Sequence, residues 1–160
     1  VIEMFGWEFS DPVRLYTDAS LFAGGYAITQ LRKDIEVPVL YDAVTFSKTE
    51  RNYSTYKREL FAIATFARKY DYMLRGAYTA TIFTDHYPLM FFLESSQLEG
   101  IYSRWAADLR ALNIKIEYIP GPRNKVADAL SCTIFTYPDC ETTPELAEIG
   151  TVDYSGEQPK

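Results

Sequence analysis

Residues 118–131 read Tyr-Ile-Pro-Gly-Pro-Arg-Asn-Lys-Val-Ala-Asp-Ala-Leu-Ser. Alternation through Ile114, Ile116 and Tyr118 predicts a strand over 114–119. Pro120-Gly121-Pro122 turns the chain, because proline fixes φ and glycine frees it. Asn124 then offers a side-chain oxygen as cap to a short helix over 125–131. In that helix Asp128 stands among Val126, Ala127, Ala129 and Leu130. A carboxylate beside apolar surface costs desolvation unless it is paired or metal-bound.

Working back from this stretch, residues 101–112 read as a helix with Ile101, Trp105, Leu109 and Leu112 on one face. Pro88 to Leu93 suggest a short helix with proline near its first turn. Residues 78–84 form a strand that runs into Asp85. Over residues 54–74, Tyr56, Leu60, Ile63, Ala67, Tyr70 and Leu74 recur every three or four positions. They make one apolar stripe of a helix that Ser54 or Thr55 can cap and Gly76 can end. Residues 13–19 alternate as a strand ending near Asp18. Ser20 to Gly25 turn the chain, and two more strands follow at 25–32 and 38–47. The order is three strands, helix, strand, helices, strand, helix. It predicts an α/β domain over 13–131, a mixed sheet with an antiparallel start and helices on its faces. Residues 1–12 read as a linker and 132–160 as an acidic tail or linker. The opening at Val1 reads as that of a piece of something longer.

Composition narrows the function classes. The chain has 160 residues, 48% of them hydrophobic, enough for one packed core and too apolar for a disordered chain. No apolar run reaches the ~18 residues of a membrane span, and no secretory signal is visible. The expected setting is intracellular. Cys132, Cys140 and His86 do not supply the four Cys/His ligands of a structural zinc site, so the cysteines read as free thiols. The net charge of −6 argues at face value against a nucleic-acid partner. That figure averages two unlike parts: residues 1–131 carry −1 and residues 132–160 carry −5.

Four acids sit at awkward positions. Asp18 and Asp85 end strands, Glu59 borders the stripe of the long helix, and Asp128 lies in the last helix. Any one alone is most simply a turn former or a solvated flank. Together, hard oxygen donors from four elements suit divalent cations such as Mg²⁺.

Four segments carry a resemblance. They are Tyr16-Thr17-Asp18-Ala19-Ser20, residues 52–60 from Asn52 to Leu60, Phe83-Thr84-Asp85-His86, and residues 118–131. In this order and spacing they resemble the ribonuclease H domain of gypsy-like LTR retrotransposon reverse transcriptases. The resemblance covers about residues 13–131 and implies a ribonuclease H-like fold built on a five-stranded mixed sheet. It also implies endonucleolytic cleavage of the RNA strand of RNA–DNA hybrids, leaving 3′-hydroxyl and 5′-phosphate ends. Asp18, Glu59, Asp85 and Asp128 would hold two Mg²⁺, with Mn²⁺ able to substitute. Asp18 would bridge both ions, Asp128 would help hold the water-activating ion, and Glu59 and Asp85 would help hold the other. A polymerase region of the same polyprotein would precede the domain, inside a cytoplasmic virus-like particle. Two divalent ions would add four positive charges and turn residues 1–131 from −1 to +3, which removes most of the charge objection.

One position departs from the family. Many members carry a histidine where this chain has Tyr118, and a phenol with a pKa near ~10 is a poor base at neutral pH. Tyr118 can still donate a hydrogen bond to phosphate or water, or it can simply pack its ring. Candidate substrate contacts are Ser20, Ser54, Thr55, Tyr56, His86, Tyr87, Arg123 and Lys125, each with a structural alternative as cap, core or surface residue. Lys48, Arg51, Lys57 and Arg58 form a basic cluster beside them. The competing readings are a non-catalytic domain that supports a polymerase or binds nucleic acid, and another nuclease or an integrase on the same fold.

Overall fold

The computed structural model describes residues 2–3 and 6–133. Its sheet is made of β1 (Ile2–Glu3), β2 (Val13–Ala19), β3 (Ala23–Arg32), β4 (Ile35–Thr45), β5 (Ala80–Thr84) and β6 (Ile114–Tyr118). The spatial order is β1-β4-β3-β2-β5-β6. β2, β3 and β4 form an antiparallel meander, and β5 and β6 run parallel to β2. This is the expected five-stranded mixed sheet, with the two-residue β1 added at the β4 edge. Lys33 and Asp34 both take positive φ, 48° and 63°, as a tight two-residue hairpin turn requires.

The helices are α1 (Lys48–Arg51), α2 (Thr55–Lys69), α3 (Asp71–Leu74), α4 (Gly100–Ala111) and α5 (Lys125–Thr133), with 3-10 turns at Tyr87–Phe91 and Gly121–Arg123. α1 was not expected. Ser47 accepts from the Glu50 amide while Glu50 accepts from the Ser47 amide, a capping box that makes a helix from a single turn. The helix expected over 54–74 is two helices. It breaks at Tyr70, where φ is −111° and ψ 24°. There the phenol donates to Asp42 on β4, 2.8 Å away, a tertiary bond that the local periodicity does not register.

The two faces of the sheet are covered differently. On one face Val13, Leu15, Ile28, Leu40 and Ile82 meet Leu60, Ile63 and Phe66 of α2 and Trp105 and Leu109 of α4, all at most 3% exposed. Each such side chain stabilises by about 1.5–3 kcal/mol before the entropy of ordering it is charged. On the other face α5 lies against β3 and β2. It comes so close that a Cβ at Gly25 would stand 2.3 Å from the Ala127 carbonyl oxygen and 2.5 Å from the Ser131 nitrogen. Only glycine permits that approach.

Part of the segment expected to be a linker is fastened to the domain. Glu8 N donates to Gln30 Oε1 at 3.0 Å, Arg32 pairs with Asp11 at 2.9 Å, and Phe9 covers Gly76. The tail beyond residue 133, including Cys140, lies outside the described residues.

Candidate active site

β2 and β5 run parallel, with Tyr16 opposite Phe83. Continuing that register by two residues places Asp18 beside Asp85, both at the C-terminal ends of their strands. The alternation of β2 sends Val13, Leu15 and Thr17 into the α2 core and leaves Asp18 on the α5 side. Glu59 arrives from the first turns of α2, where Ser54 caps the helix by accepting from the Lys57 amide. One oxygen from each of Asp18, Glu59 and Asp85 lies within 4.8 Å of the other two. Asp128, on α5, is exposed and falls outside this compact group. Its charge is still felt by both aspartates.

The electrostatics follow from this crowding. Burial first, then the negative charges of Asp85 and Asp128, push the Asp18 carboxyl up to about 6, against a hydrogen bond from Ser131 that pulls it down. Glu59 is 3% exposed, and burial followed by the charges of Asp18 and Asp85 pushes it up to about 9. Asp85 is raised by burial and by Asp128. Glu59 Oε1 accepts from the Ala19 amide at 3.1 Å, while Oε2 is buried with no hydrogen-bond partner among the described residues. A buried carboxylate oxygen without a donor is costly. Three converging carboxylates, one with an orphan oxygen, fit a hard divalent cation as the missing partner.

Tyr118 pairs with Thr84, one residue from Asp85; it is 43% exposed, and its ring packs edge-on against exposed Tyr87 at 5.6 Å. His86 packs against Tyr56 at 5.8 Å, and Tyr56 against Tyr102. Ser54, Thr55, Arg123 and Lys125 are exposed. Ser20 is engaged inside the fold: its hydroxyl accepts from the Phe22 and Ala23 amides and lies 2.9 Å from the Ser131 carbonyl. In the basic cluster Arg51 lies over the Phe22 ring and donates to the Phe46 carbonyl, and Arg58 donates to the Tyr53 carbonyl. Lys57 lies over the Tyr53 ring, and Lys48 is exposed.

Two residues carry roles that sequence reasoning missed. Asn124 was read only as a cap, yet its amide donates to the Thr17 carbonyl at 2.8 Å and pins the start of α5 beside Asp18. Ser131, quoted in the last motif without a role, donates to Asp18 Oδ2 at 2.7 Å. Ser131 was visible in the sequence as a polar residue in a short, mostly apolar helix, and Asn124 as the polar residue just before that helix.

A family model described as an RNase H-like domain found in reverse transcriptase matches residues 8–112. The chain belongs to this family. As an RNase H-like domain it is 37% identical over 123 residues to the retrovirus-related Pol polyprotein from transposon opus of Drosophila melanogaster, covering 77% of this chain and 12% of that protein. The Pol polyprotein from transposon gypsy of the same species is 36% identical, with 78% of this chain and 12% of the relative covered. The domain therefore spans about an eighth of these polyproteins and is the ribonuclease H region of a retrotransposon of that kind. Its fold is that of the foamy viral protease-reverse transcriptase solved with double-stranded DNA, at TM-score 0.55 and 16% identity over 70% of this chain and 20% of that one. It is also that of LC11-RNase H1 solved with an RNA/DNA hybrid, at TM-score 0.54 and 10% identity over 76% and 93% of the two chains. No described helix is long and apolar enough to cross a membrane.

Proposed function

We propose that this domain hydrolyses the RNA strand of RNA–DNA hybrids with the help of divalent cations during retrotransposon reverse transcription. The observation that carries the reading is the convergence of Asp18, Glu59 and Asp85 with the unpartnered Glu59 oxygen among them. Asp18, Glu59 and Asp85 would hold the cations, with Asp128 joining from α5. Two Mg²⁺ ions bound there would supply an activated water and neutralise the leaving oxygen. The chain's own contribution is to bring three carboxylates to the end of one parallel strand pair and to keep one of them, Glu59, dry, with Asp128 on α5 free to join.

Substrate choice needs surfaces that sense a 2′-hydroxyl and the hybrid's minor groove. Ser54, Thr55 and Tyr56 precede Glu59 in the chain, His86 and Tyr87 follow Asp85, and Arg123 and Lys125 precede Asp128, so these residues would meet the hybrid. Tyr118, whose strand partner Thr84 precedes Asp85, would donate a hydrogen bond to phosphate or water. A polymerase region of the same polyprotein is the natural partner, because residues 1–131 are close to neutral and hold nucleic acid weakly on their own.

The test incubates the domain with labelled RNA–DNA hybrid, double-stranded RNA and double-stranded DNA, in Mg²⁺ and in Mn²⁺. Cleavage confined to the hybrid and lost in Asp85→Asn supports the reading. Hybrid left intact in both metals overturns it for the free domain and favours a supporting role beside a polymerase.

A further inference from the structure

We infer that Ser131 is a positioning residue for Asp18, holding that carboxylate in the rotation at which it can join Glu59 and Asp85. The inference rests on the hydrolase reading above and assigns a role to a residue outside its acid set. Ser131 is 1% exposed, so its hydroxyl has no water to turn to. It faces two acceptors, Asp18 Oδ2 at 2.7 Å and the Asp128 carbonyl oxygen at 2.9 Å. A hydroxyl has one proton, and the bond to an ionised carboxylate is the shorter and stronger of the two. Asp18 therefore takes it, and the bond fixes one oxygen of the group across 113 residues of chain.

The surrounding residues exist to bring that hydroxyl into place. Asp18 pairs across the sheet with Gly25, so both point toward α5. The missing Cβ of Gly25 lets α5 settle where the Ser131 nitrogen would otherwise collide at 2.5 Å. Asn124 ties the start of α5 to the Thr17 carbonyl, one residue before Asp18. The Ser20 hydroxyl reaches the Ser131 carbonyl at 2.9 Å, one residue from the end of β2. α5 is thus fixed to β2 at both its ends, and Asp18 lies between the fixings. A serine used only to pack would not need a carboxylate in reach, and an acid used only as a turn former would not need a buried donor.

The experiment compares wild type, Ser131→Ala and Ser131→Thr, each checked by far-UV circular dichroism and thermal melting. Mn²⁺ binding is measured from the paramagnetic signal of the free ion, and hybrid cleavage separately. Removing a group that orients a metal ligand typically costs 10–100-fold in affinity. Ser131→Ala is expected to keep its spectrum, to weaken Mn²⁺ binding about tenfold, and to lower kcat with little change in KM. Ser131→Thr, which keeps the hydroxyl, is expected to restore Mn²⁺ affinity. Wild-type affinity in a folded Ser131→Ala overturns the positioning role and leaves the hydrolase reading standing. Failure of the wild-type chain to bind Mn²⁺ overturns the hydrolase reading and this role with it.

Discussion

The two faces of the sheet hold their acids by opposite means. On the α2 face Glu59 sits within a thick apolar layer, 3% exposed, on a helix whose neighbours Leu60, Ile63 and Phe66 are fully buried. On the α5 face the docking is close. It depends on a glycine gap at residue 25 and on polar bonds from Asn124, Ser131 and Ser20. The first arrangement gives a fixed, desolvated ligand. The second gives a helix whose placement hangs on a few directional contacts, with its own acid, Asp128, in solvent. A site assembled from both is held by apolar burial on one face and by directional polar bonds on the other.

The largest expected effect ignores the difference between the faces. Asp85→Asn removes a carboxylate that the two faces share, and hybrid cleavage should fall below detection while the melting temperature holds or rises. Next, Trp105→Ala empties a 1%-exposed site in the α2 layer and should cost about 3–5 kcal/mol in denaturant unfolding. On the other face, Gly25→Ala forces α5 off β3 and should cost about 1–3 kcal/mol. It should also cut cleavage more steeply than Trp105→Ala does when both are compared well below their melting points. Equal losses of activity at equal loss of stability would erase the distinction between the faces.

A smaller effect is carried by pH. Glu59 is raised from an ordinary 4.5 to about 9 by burial and by its acidic neighbours. A carboxyl raised in the folded state gives stability that is complete below about 4.5 and is lost as pH climbs through about 9. The metal-free domain should therefore melt lower at pH 8 than at pH 5 on this account. Glu59→Gln should flatten that slope and melt higher than wild type at pH 8, and the gap should close when Mn²⁺ is added to wild type. An unchanged slope in Glu59→Gln would mean that the glutamate is not the strained group. Smallest of all, Tyr118→His should shift the pH dependence of cleavage toward neutrality if this position faces the reacting phosphate. An unaltered profile would leave Tyr118 as a ring packed on Tyr87.

Much of this was legible from spacing. β2 begins and ends where alternation placed it, at Val13 and Ala19, because alternation records one buried and one open face directly. Spacing showed two strands each ending in an acid, the family resemblance brought the two acids together, and the parallel register supplies the geometry. What could not be read were facts about partners far away in sequence. The stripe over 54–74 continues past Tyr70, but Asp42 captures that side chain and the helix stops. A cap was read at Asn124, but its Oδ1 is buried without a hydrogen-bond partner among the described residues, and the bond its amide makes to the Thr17 carbonyl spans 107 residues and was not legible. Asp128 stands in the same linear motif as Ser131, yet only the docked helix reveals that the serine turns inward while the acid turns out.

The bond between Ser131 and Asp18 also has a consequence in time. Its two ends are separated by 113 residues, and chains grow at about 5–20 residues per second. Asp18 is thus made roughly 6–23 s before the serine that holds it. Through that interval β2, β3 and β4 can already be paired and α2 can already be packing, while the acid cluster lacks its final brace. The antiparallel meander and α2 are local work that synthesis completes early. The carboxylate site closes last, when its C-terminal helix has been translated, so a chain interrupted before residue 131 would fold without the means to fix Asp18.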